Sequence, residues 1–590
     1  MQNQKDHHDS RNPALPRLMS FLLHYHFAIL ALLLVLAWLV PRIGDNWFRR
    51  VESAGARAGR NPGVAVLCLI AGVIVVRVAL LPLMPIPEPN IHDEFSYLLA
   101  GDTFAHGRLA NPTHPMWIFF ETFHVLQHPT YASMYPPAQG AALALGQLLG
   151  RPWFGVLISA ALMCGAILWA LQGWVPPGWA LLGGILAASR FGIISDWVNS
   201  YWGGAMAAIG GALVIGALPR IFRHQRVRDA LTLGLGTALL ANSRPLEGFV
   251  FCLPVAGALV LCLRSRRHGG MPIAFARVVL PLLVTSTLLL AFIAYYNWRI
   301  TQHPLLFPEV LNMRTYVNFP LYLWQSAKPP LHYSNQQFEL FYTGVLLHMT
   351  PRSFLGLLRW KVHIVWAFFF GTVLSIPLIA VPQVLRDKRT RLPLLQFALC
   401  FVAILPIAWF SSHYFAPLTA TIFVILIQLL RHLRFWIPRG RPVGTFLTRL
   451  IVLLCLARPA VIIAYAVEHP IHDWRFSRAE ILSSLNKGPE RNLVLVGYHP
   501  DHDTFHEWVY NSADIDNSKV VWARIIPGRD MSPLLEYFKD RKIWILDADA
   551  HPVTLRPYSG VELQRAVDIA SAAGPDSNQQ ASGSVAKTSK

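Results

Sequence analysis

Apolar runs of about 20 residues recur along this chain, and they constrain its fold more than any other feature. Each run is long enough to cross a hydrocarbon layer about 30 Å thick. Only 14% of the residues are charged and 54% are hydrophobic, whereas soluble proteins carry about 25% charged residues. The sequence therefore predicts a mainly α-helical, multi-pass membrane protein.

The apolar runs predict about twelve membrane spans, with each boundary set where an apolar run meets polar residues. The predicted spans are residues 20–41, 62–84, 151–173, 178–195, 203–219, 230–247, 248–263, 277–297, 362–383, 392–410, 415–430 and 448–467. Residues 1–61 thus form an additional N-terminal membrane helix followed by a cytoplasmic loop, and residues 62–467 form the main membrane domain.

Positive charge is concentrated in five short segments between the predicted spans. They hold 22 of the 51 Lys and Arg residues but only 4 of the 32 Asp and Glu residues, and they are 42–60, 220–229, 264–277, 386–391 and 431–449. Short basic loops are typical of the cytoplasmic side of a membrane. The charge therefore predicts sidedness, not nucleic-acid binding. It places four regions on the opposite face, the periplasmic face of a bacterial inner membrane: 85–150, 195–202, 299–361 and everything after 467.

The residues after 467 have a different character and predict a small extracytoplasmic α/β domain over 468–560. Three short β-branched and aromatic runs predict buried strands, at 491–498, 519–526 and 542–549. Segments with helical spacing precede or separate them, at 477–487, 503–515 and 531–540. Strands that alternate with helices predict a parallel sheet. Residues 561–590 lose aromatic side chains and gain Ser, Ala and Gln, which predicts a disordered tail.

An adjacent acid pair, Asp93 and Glu94, lies about ten residues after the second predicted span. The segment "HDEFSYLLAGDTF" that contains the pair predicts an amphipathic helix along the membrane surface. Two interpretations of the pair remain open. The carboxylates could cap the helix and favour its dipole. Alternatively, Asp93 could be a general base while Glu94 orients it or binds a metal.

The order of these features resembles a known superfamily. A span, a loop that opens with Asp-Glu, and a "YPP" segment at Tyr135–Pro137 that leads into further spans look like the GT-C membrane glycosyltransferases. The nearest patterns are those of protein O-mannosyltransferases and lipid A aminoarabinose transferases. The resemblance covers about residues 62–467. It implies transfer of a sugar from a polyprenyl-phosphate carrier on the far side of the membrane.

The resemblance also implies roles for individual residues. Asp93 corresponds to the acid proposed as the base, and Glu94 to its neighbour. A second acidic position is common in the next extracytoplasmic turn, where "SDWVNSYWGG" supplies Asp196, with Asn199 and Tyr201 nearby. The alternative for this turn is an interfacial aromatic belt with a capping Asp. The turn has no D-x-D pattern.

A phosphate-bearing carrier requires cations near the membrane surface. In "ANSRPLEG", Arg244 precedes a helix-breaking proline, and it could bind an anionic headgroup or pair internally with Glu247. Arg352 and Lys361 lie where the large loop 299–361 re-enters the membrane. They are further candidates for the phosphate, with interfacial snorkelling as the alternative for Lys361.

Three further groups of side chains are candidates for the same face of the membrane. His413 and Tyr414, in "SSHYFAP", could line a cavity or belong to an aromatic belt. The aromatic and amide residues of the loop 299–361 suit a carbohydrate site. No metal-ligand pattern is certain, although a divalent cation (Mg²⁺ or Mn²⁺) is possible and the four-residue spacing of His124 and His128 would suit a metal on a helix.

The predicted function is therefore a glycosyltransferase that uses a polyprenyl-phosphate sugar donor. Its acceptor would be a glycolipid, a polysaccharide or a protein, and membrane lipid surrounds it. Two other classes stay open. One is a lipid-linked sugar flippase or transporter, which would also use buried Arg and acidic residues. The other is a non-catalytic membrane scaffold with a periplasmic binding domain.

Overall fold

The computed structural model describes residues 26–264, 271–326, 329, 331–345, 353–471 and 473–571, and helices dominate them. The helices of nine or more residues are His26–Leu39, Asp45–Ala58, Pro62–Ala79, His92–Ala105, Pro137–Leu148, Pro152–Trp174, Pro177–Ala187, Gly204–His224, Val227–Ala241, Pro245–Arg264, Leu280–Thr301, Pro308–Tyr316, Phe354–Val365, Arg391–Ile404, Thr419–Arg434, Val443–Glu468, Trp474–Lys487 and Gly560–Ser571.

Seven helices among the described residues are long and apolar enough to cross a membrane, so the chain is a multi-pass membrane protein. They are Pro62–Ala79, Pro152–Trp174, Gly204–His224, Pro245–Arg264, Pro272–Thr301, Ser412–Arg434 and Val443–Glu468. An eighth candidate is a helix pair bent by 101°, Phe354–Phe370 with Val373–Arg386. The predicted total of about twelve is not confirmed, because several predicted spans correspond to shorter helices such as Val227–Ala241 and Arg391–Ile404.

Lys361 lies inside the bent helix pair, where neither of its two predicted roles applies. Its side chain is fully buried, so it neither snorkels to the interface nor presents its charge to a phosphate. The Nζ atom donates hydrogen bonds to the carbonyls of Ile404, Leu405 and Ile407, at 2.6, 2.9 and 2.5 Å. The last carbonyls of a helix lack intrahelical partners. Lys361 therefore caps the helix that ends at Ile404.

The first and last basic segments meet at one end of the helix bundle. Arg449 donates hydrogen bonds to Asp45 and Glu52, and Arg434 forms a two-bond ion pair with Glu52 at 2.9 and 2.7 Å. Helix Pro62–Ala79 leads away from this end and is about 27 Å long at 1.5 Å per residue. The acid pair follows that helix, so the bundle separates it from these basic segments.

The acid pair begins a helix, as predicted, but this helix does not lie exposed along the membrane surface. It runs from His92 to Ala105, and residues on both of its faces are buried. One face packs against helix Pro137–Leu148, where Gly140 leaves room for Ala100: a Cβ on Gly140 would lie 2.7 Å from the Ala100 Cβ. The predicted amphipathic exposure is wrong because the C-terminal domain covers the other face.

The C-terminal domain contains the parallel sheet that the sequence predicts. Its strands are β4 (Asn492–Gly497), β5 (Val520–Arg524), β6 (Lys542–Asp547) and β7 (Thr554–Pro557), after three short strands β1 (Asn111–Pro112), β2 (Val125–Leu126) and β3 (Thr130–Ser133) in the first loop. The order is β5-β4-β6-β7, with β4 parallel to both β5 and β6. Strand β7 is antiparallel to β6 and was not predicted.

Two predictions for this domain are wrong. Residues 503–515 form no helix. Instead, their backbone carbonyls accept hydrogen bonds from outside the segment, as when Arg478 donates to Trp508 and Tyr510. The first part of the predicted disordered tail is ordered, because Gly560–Ser571 is a helix that packs on the sheet. Residues 572–590, the rest of the predicted tail, lie outside the described residues.

The C-terminal domain is seated directly on the acid-pair helix. The Phe95 ring stacks on Tyr510 at 4.3 Å, and the Arg478 guanidinium lies between Phe95 and Trp522, 5.0 Å from each ring centroid. Asp102 accepts a 2.7 Å hydrogen bond from the backbone N–H of Ala513. Aromatic stacking and charge-assisted hydrogen bonds favour one fixed geometry. The domain therefore holds the helix that presents the acid pair.

Candidate active site

Asp93 is half-buried at the start of its helix, and its carboxylate accepts a short hydrogen bond from the Tyr135 hydroxyl. Tyr135 is the first residue of the "YPP" segment, and its ring stacks on Tyr97 at 4.4 Å. The helix N-cap is Ile91, which forms no side-chain cap. The Asp93 carboxylate therefore binds the Tyr135 hydroxyl and does not cap the helix, which argues against the capping interpretation.

The surroundings of Asp93 keep its carboxyl ionised. Burial raises the pKa of Asp93, but two effects outweigh it and hold that pKa below its usual 3.8: the charge of His124, which acts once acid protonates that imidazole, and the hydrogen bond from Tyr135. Burial, followed by the Asp93 charge, raises the pKa of Tyr135 well above 10. The phenol therefore stays a neutral donor and the carboxylate stays an acceptor across the physiological pH range.

Two histidines adjoin Asp93, and both are neutral at pH 7. His92 stacks on Phe123 at 4.1 Å, and its Nε2 lies 2.7 Å from the Thr504 carbonyl in the C-terminal domain. Burial, with a smaller contribution from His124, lowers the pKa of His92 to about 3. Burial also lowers the pKa of His124 below 6.5, and its Nδ1 is buried without a hydrogen-bond partner among the described residues.

The low pKa of His92 predicts a pH-dependent stability. Between pH 6.5 and 3 the unfolded state binds a proton at His92 that the folded state does not, so stability falls as pH falls. The slope for one proton is about 1.4 kcal/mol per pH unit. We expect the thermal unfolding midpoint of the detergent-solubilised protein to drop more between pH 6.5 and 4.5 than that of His92→Gln, which retains a donor for Thr504. Parallel curves for the two proteins would contradict this assignment.

Arg244 lies in the break between helices Val227–Ala241 and Pro245–Arg264. Its guanidinium lies 4.6 Å from the centroid of the Tyr414 ring and 3.9 Å from the Glu247 carboxylate, so the predicted internal pair exists with long geometry. The Arg244 side chain is 18% exposed. His413, the neighbour of Tyr414, is buried and packs 4.4 Å from Trp202. The "SSHYFAP" turn thus borders Arg244.

A close approach of two backbones holds that turn in place. A Cβ on Gly211 would lie 1.9 Å from the Pro417 carbonyl oxygen, so only glycine fits there. On the other side, the backbone N–H of Ala138 donates to the Asn242 carbonyl at 2.9 Å. The "YPP" segment, the Arg244 break and the "SSHYFAP" turn are therefore fixed against one another.

The two halves of the site meet around Tyr97 and Glu309, neither of which the sequence singled out. Burial raises the pKa of Tyr97, and the charges of Arg244, Asp93 and Glu309 all act on it. Burial also raises the pKa of Glu309, while Arg244 lowers it. No motif indicates these residues, because a Tyr inside a helix and a Glu after a helix-starting Pro are ordinary. Tyr97, whose ring stacks on Tyr135 at 4.4 Å, is thus within electrostatic range of both Asp93 and Arg244.

Glu94 and its predicted neighbours form a separate set of contacts, which join the loops around the site. The Glu94 carboxylate is 1% exposed and accepts from the Tyr201 backbone N–H at 3.0 Å, while the Tyr201 hydroxyl donates to the Pro87 carbonyl. Asn199 accepts two hydrogen bonds from the buried Arg77. These hydrogen bonds hold the loops of the site together. Asp196 is half-buried in the same turn.

The structure does not assemble the predicted metal site. Asp93 and Glu94 have different partners, Tyr135 and Tyr201. Within the described residues, no group of three or more His, Cys, Asp or Glu side chains could hold a metal ion. His124 is in a left-handed conformation (φ 60°), not on a helix with His128.

The remaining candidates are in or near the large loop. Arg352 lies outside the described residues. Much of the aromatic content of the loop packs on itself: Tyr316, Phe338, Phe341 and Tyr342 form one buried cluster around Phe123. Those rings are therefore core residues and not a carbohydrate platform.

Comparison with solved structures finds matches to ArnT and to an archaeal oligosaccharyltransferase, all at 11–14% sequence identity. ArnT from Cupriavidus metallidurans bound to undecaprenyl phosphate matches with a TM-score of 0.46 and 13% identity over 82% of this chain and 92% of that chain. Archaeoglobus fulgidus oligosaccharyltransferase AglB with an inhibitory peptide and a dolichol-phosphate gives 0.42 and 12%, over 82% and 69%. The same oligosaccharyltransferase with Zn and sulfate gives 0.44 and 12%, over 82% and 67%. No protein-family model and no curated protein sequence matches the chain.

Proposed function

We propose that this protein transfers a sugar from a polyprenyl-phosphate carrier to an acceptor hydroxyl, with Asp93 as the general base. The observation that carries the proposal is the arrangement around Tyr97. An ionised carboxylate accepts a hydrogen bond from Tyr135, whose ring stacks on Tyr97, and Tyr97 is also within electrostatic range of a half-buried arginine that lies over Tyr414. Sugar transfer from a phosphate requires these two groups: a base for the acceptor and a cation for the leaving group.

The chemistry follows as one displacement. Asp93 takes the proton of the acceptor hydroxyl as its oxygen bonds to the anomeric carbon. The bond between that carbon and the phosphate oxygen breaks, and the carrier phosphate leaves with the electron pair beside Arg244. Tyr135 keeps the carboxylate in place until the proton arrives. The configuration at the anomeric carbon is inverted, because attack and departure occur on opposite sides.

A small cavity beside Arg244 marks where the lipid part of the carrier would enter. It holds only about 10 Å³, room for about one water molecule, and Glu247 and Tyr414 line it together with apolar residues of two helices. Leu246, Val250, Ile404 and Phe415 are among its wall residues. The apolar side chains here are of the kind that an isoprenoid chain would contact, and the chain would enter only if the two helices move apart.

The charge distribution supports a location on the periplasmic side of a bacterial inner membrane. The positive-inside rule assigns the basic segments to the cytoplasm, and the first and last of these segments meet at one end of the bundle. The acid pair follows a membrane-crossing helix that starts at that end. Residues 62–467 would then form the catalytic membrane domain, and the C-terminal domain would brace its periplasmic face.

Acceptor recognition would involve the half-buried polar side chains nearest Asp93. His124, whose buried Nδ1 has no hydrogen-bond partner among the residues that the structure describes, is the strongest of these. The other candidates are Asp196, which is half-buried in the turn that contains Trp202, and the buried His413, which packs 4.4 Å from Trp202. The acceptor class, whether glycolipid, polysaccharide or protein, depends on the shape that these loops enclose.

Reconstitution into liposomes tests the function. Purified protein would receive a radiolabelled polyprenyl-phosphate sugar and an extract of cell-envelope glycans. We expect the label to appear in a product, and we expect no such product in liposomes that lack the protein. Movement of the labelled lipid between leaflets without a product would favour a flippase. If neither transfer nor movement between leaflets occurs, the result favours the scaffold.

A further inference from the structure

The C-terminal domain has a groove at the carboxyl ends of its parallel strands. Strand β4 leads to β5 on one side, while β6 lies on its other side, so the chain direction switches between β4 and β6. Ligands of open α/β sheets bind in the crevice outside such a switch point. The groove is lined by Tyr498, His499, Asp547, Thr554, Arg556 and Arg565, and we call it the tail groove.

The tail groove combines an apolar floor with charged and polar groups. Ile545 and Ile569 form part of the floor. At the end of β6, Asp547 lies 3.1 Å from the His499 Nε2. Arg556 is paired with Glu562 at 2.9 Å. Arg565 is exposed and has no ion-pair or hydrogen-bond partner in the part of the chain that the structure describes.

We propose that the tail groove binds an acidic saccharide, that is, a hydroxyl-bearing ring with a carboxylate or phosphate group. The C–H face of the ring would pack on the isoleucine floor. Its hydroxyls would donate to Asp547 and to Thr554, and the acidic group would take the free fork of Arg565, which matches a planar anion. A simple anion would use only the arginine, and a neutral sugar only the rest.

The tail groove is distinct from the Asp93 site, but one loop joins them. The loop begins at His499 in the groove, and at Thr504 it contacts His92 through a 2.7 Å hydrogen bond. Within this loop, His502 Nδ1 lies 2.6 Å from Asp549. An acidic glycan held in the groove would therefore be bound by the segment that packs beside the Asp93 helix.

Saturation-transfer NMR on the full-length protein in nanodiscs tests the proposal. The probes are D-glucuronate, D-glucose 6-phosphate, D-glucose and inorganic phosphate. We expect saturable binding of an acidic sugar, about tenfold tighter than that of glucose or phosphate, because one charge-assisted pair distinguishes the ligands. Arg565→Ala should weaken acidic-sugar binding about tenfold. Arg529→Ala, which removes another exposed arginine of the same domain, should leave it unchanged.

Any result that differs from these expectations would overturn the proposal. Equal affinity for glucose and glucuronate would remove the role of Arg565, and phosphate binding as tightly as the acidic sugars would reduce the groove to a simple anion site. Unchanged binding in Arg565→Ala, or no saturable binding, would place the ligand elsewhere or nowhere. Asp93→Asn should bind as the unmodified protein does, so this result is independent of the proposed transfer reaction.

Discussion

Replacement of Asp93 by asparagine should lower the rate of sugar transfer by roughly 10²–10⁴, which is the usual contribution of a general base. Asparagine keeps the shape of the side chain and still accepts the hydrogen bond from Tyr135, but it cannot take the acceptor proton. The measurement is the initial rate of label transfer by purified protein, with donor and acceptor saturating.

The matched control for this variant is Asp102→Asn on the same helix. Asp102 accepts a hydrogen bond from Gln147 on one carboxylate oxygen and from the Ala513 backbone on the other, so an asparagine there keeps one of the two and removes no proton acceptor from the proposed reaction. We expect Asp102→Asn to transfer sugar near the unmodified rate. Equal activity of Asp93→Asn and Asp102→Asn would eliminate Asp93 as the base.

Replacement of Arg244 by methionine should reduce transfer by roughly 10²–10³, the usual cost of losing one donor to a developing negative charge. The loss should show in the turnover rate at saturating carrier, because the phosphate gains negative charge as the bond to the sugar breaks. Methionine preserves much of the volume over the Tyr414 ring.

A double variant separates this role from a purely internal ion pair. If Arg244 served only to neutralise Glu247, its loss would leave a buried carboxylate unpaired, and Glu247→Gln in the same chain would relieve that cost. We expect Arg244→Met/Glu247→Gln to remain as inactive as Arg244→Met. Recovery of activity in the double variant would contradict a role for Arg244 at the phosphate.

Local sequence pattern was sufficient for the elements that depend on local physics. The three parallel strands of the C-terminal domain follow from short β-branched runs, since strands buried on both faces are continuously apolar. The helix that contains the acid pair and the proline break at Arg244 were likewise predictable.

Tertiary contacts decided what sequence could not supply. Residues 503–515 have helical spacing, yet Phe505 packs beside His92 and Tyr510 stacks on Phe95, so the segment follows the surface of another domain. The acid-pair helix looked amphipathic and exposed for the same reason, because the surface that covers it lies some 400 residues later in the chain.

The candidate site divides in the same way. Asp93, Arg244, His413 and Tyr414 could be proposed from the sequence because each interrupts an apolar pattern with polar chemistry. Tyr97 and Glu309 were missed because their environment, and not their spacing, makes them unusual. The role of Lys361 could not be predicted because lysines are common near membrane boundaries. The three carbonyls that it binds belong to a helix end about 45 residues later in the chain.

An experimental structure of the protein in a nanodisc with bound undecaprenyl phosphate would test the central claim most directly. The carrier phosphate should lie within hydrogen-bond distance of the Arg244 guanidinium, with the first isoprene units in the cavity by Glu247 and room for a sugar between the phosphate and Asp93. A phosphate bound away from Arg244, with the Asp93 carboxylate facing bulk water, would contradict the account.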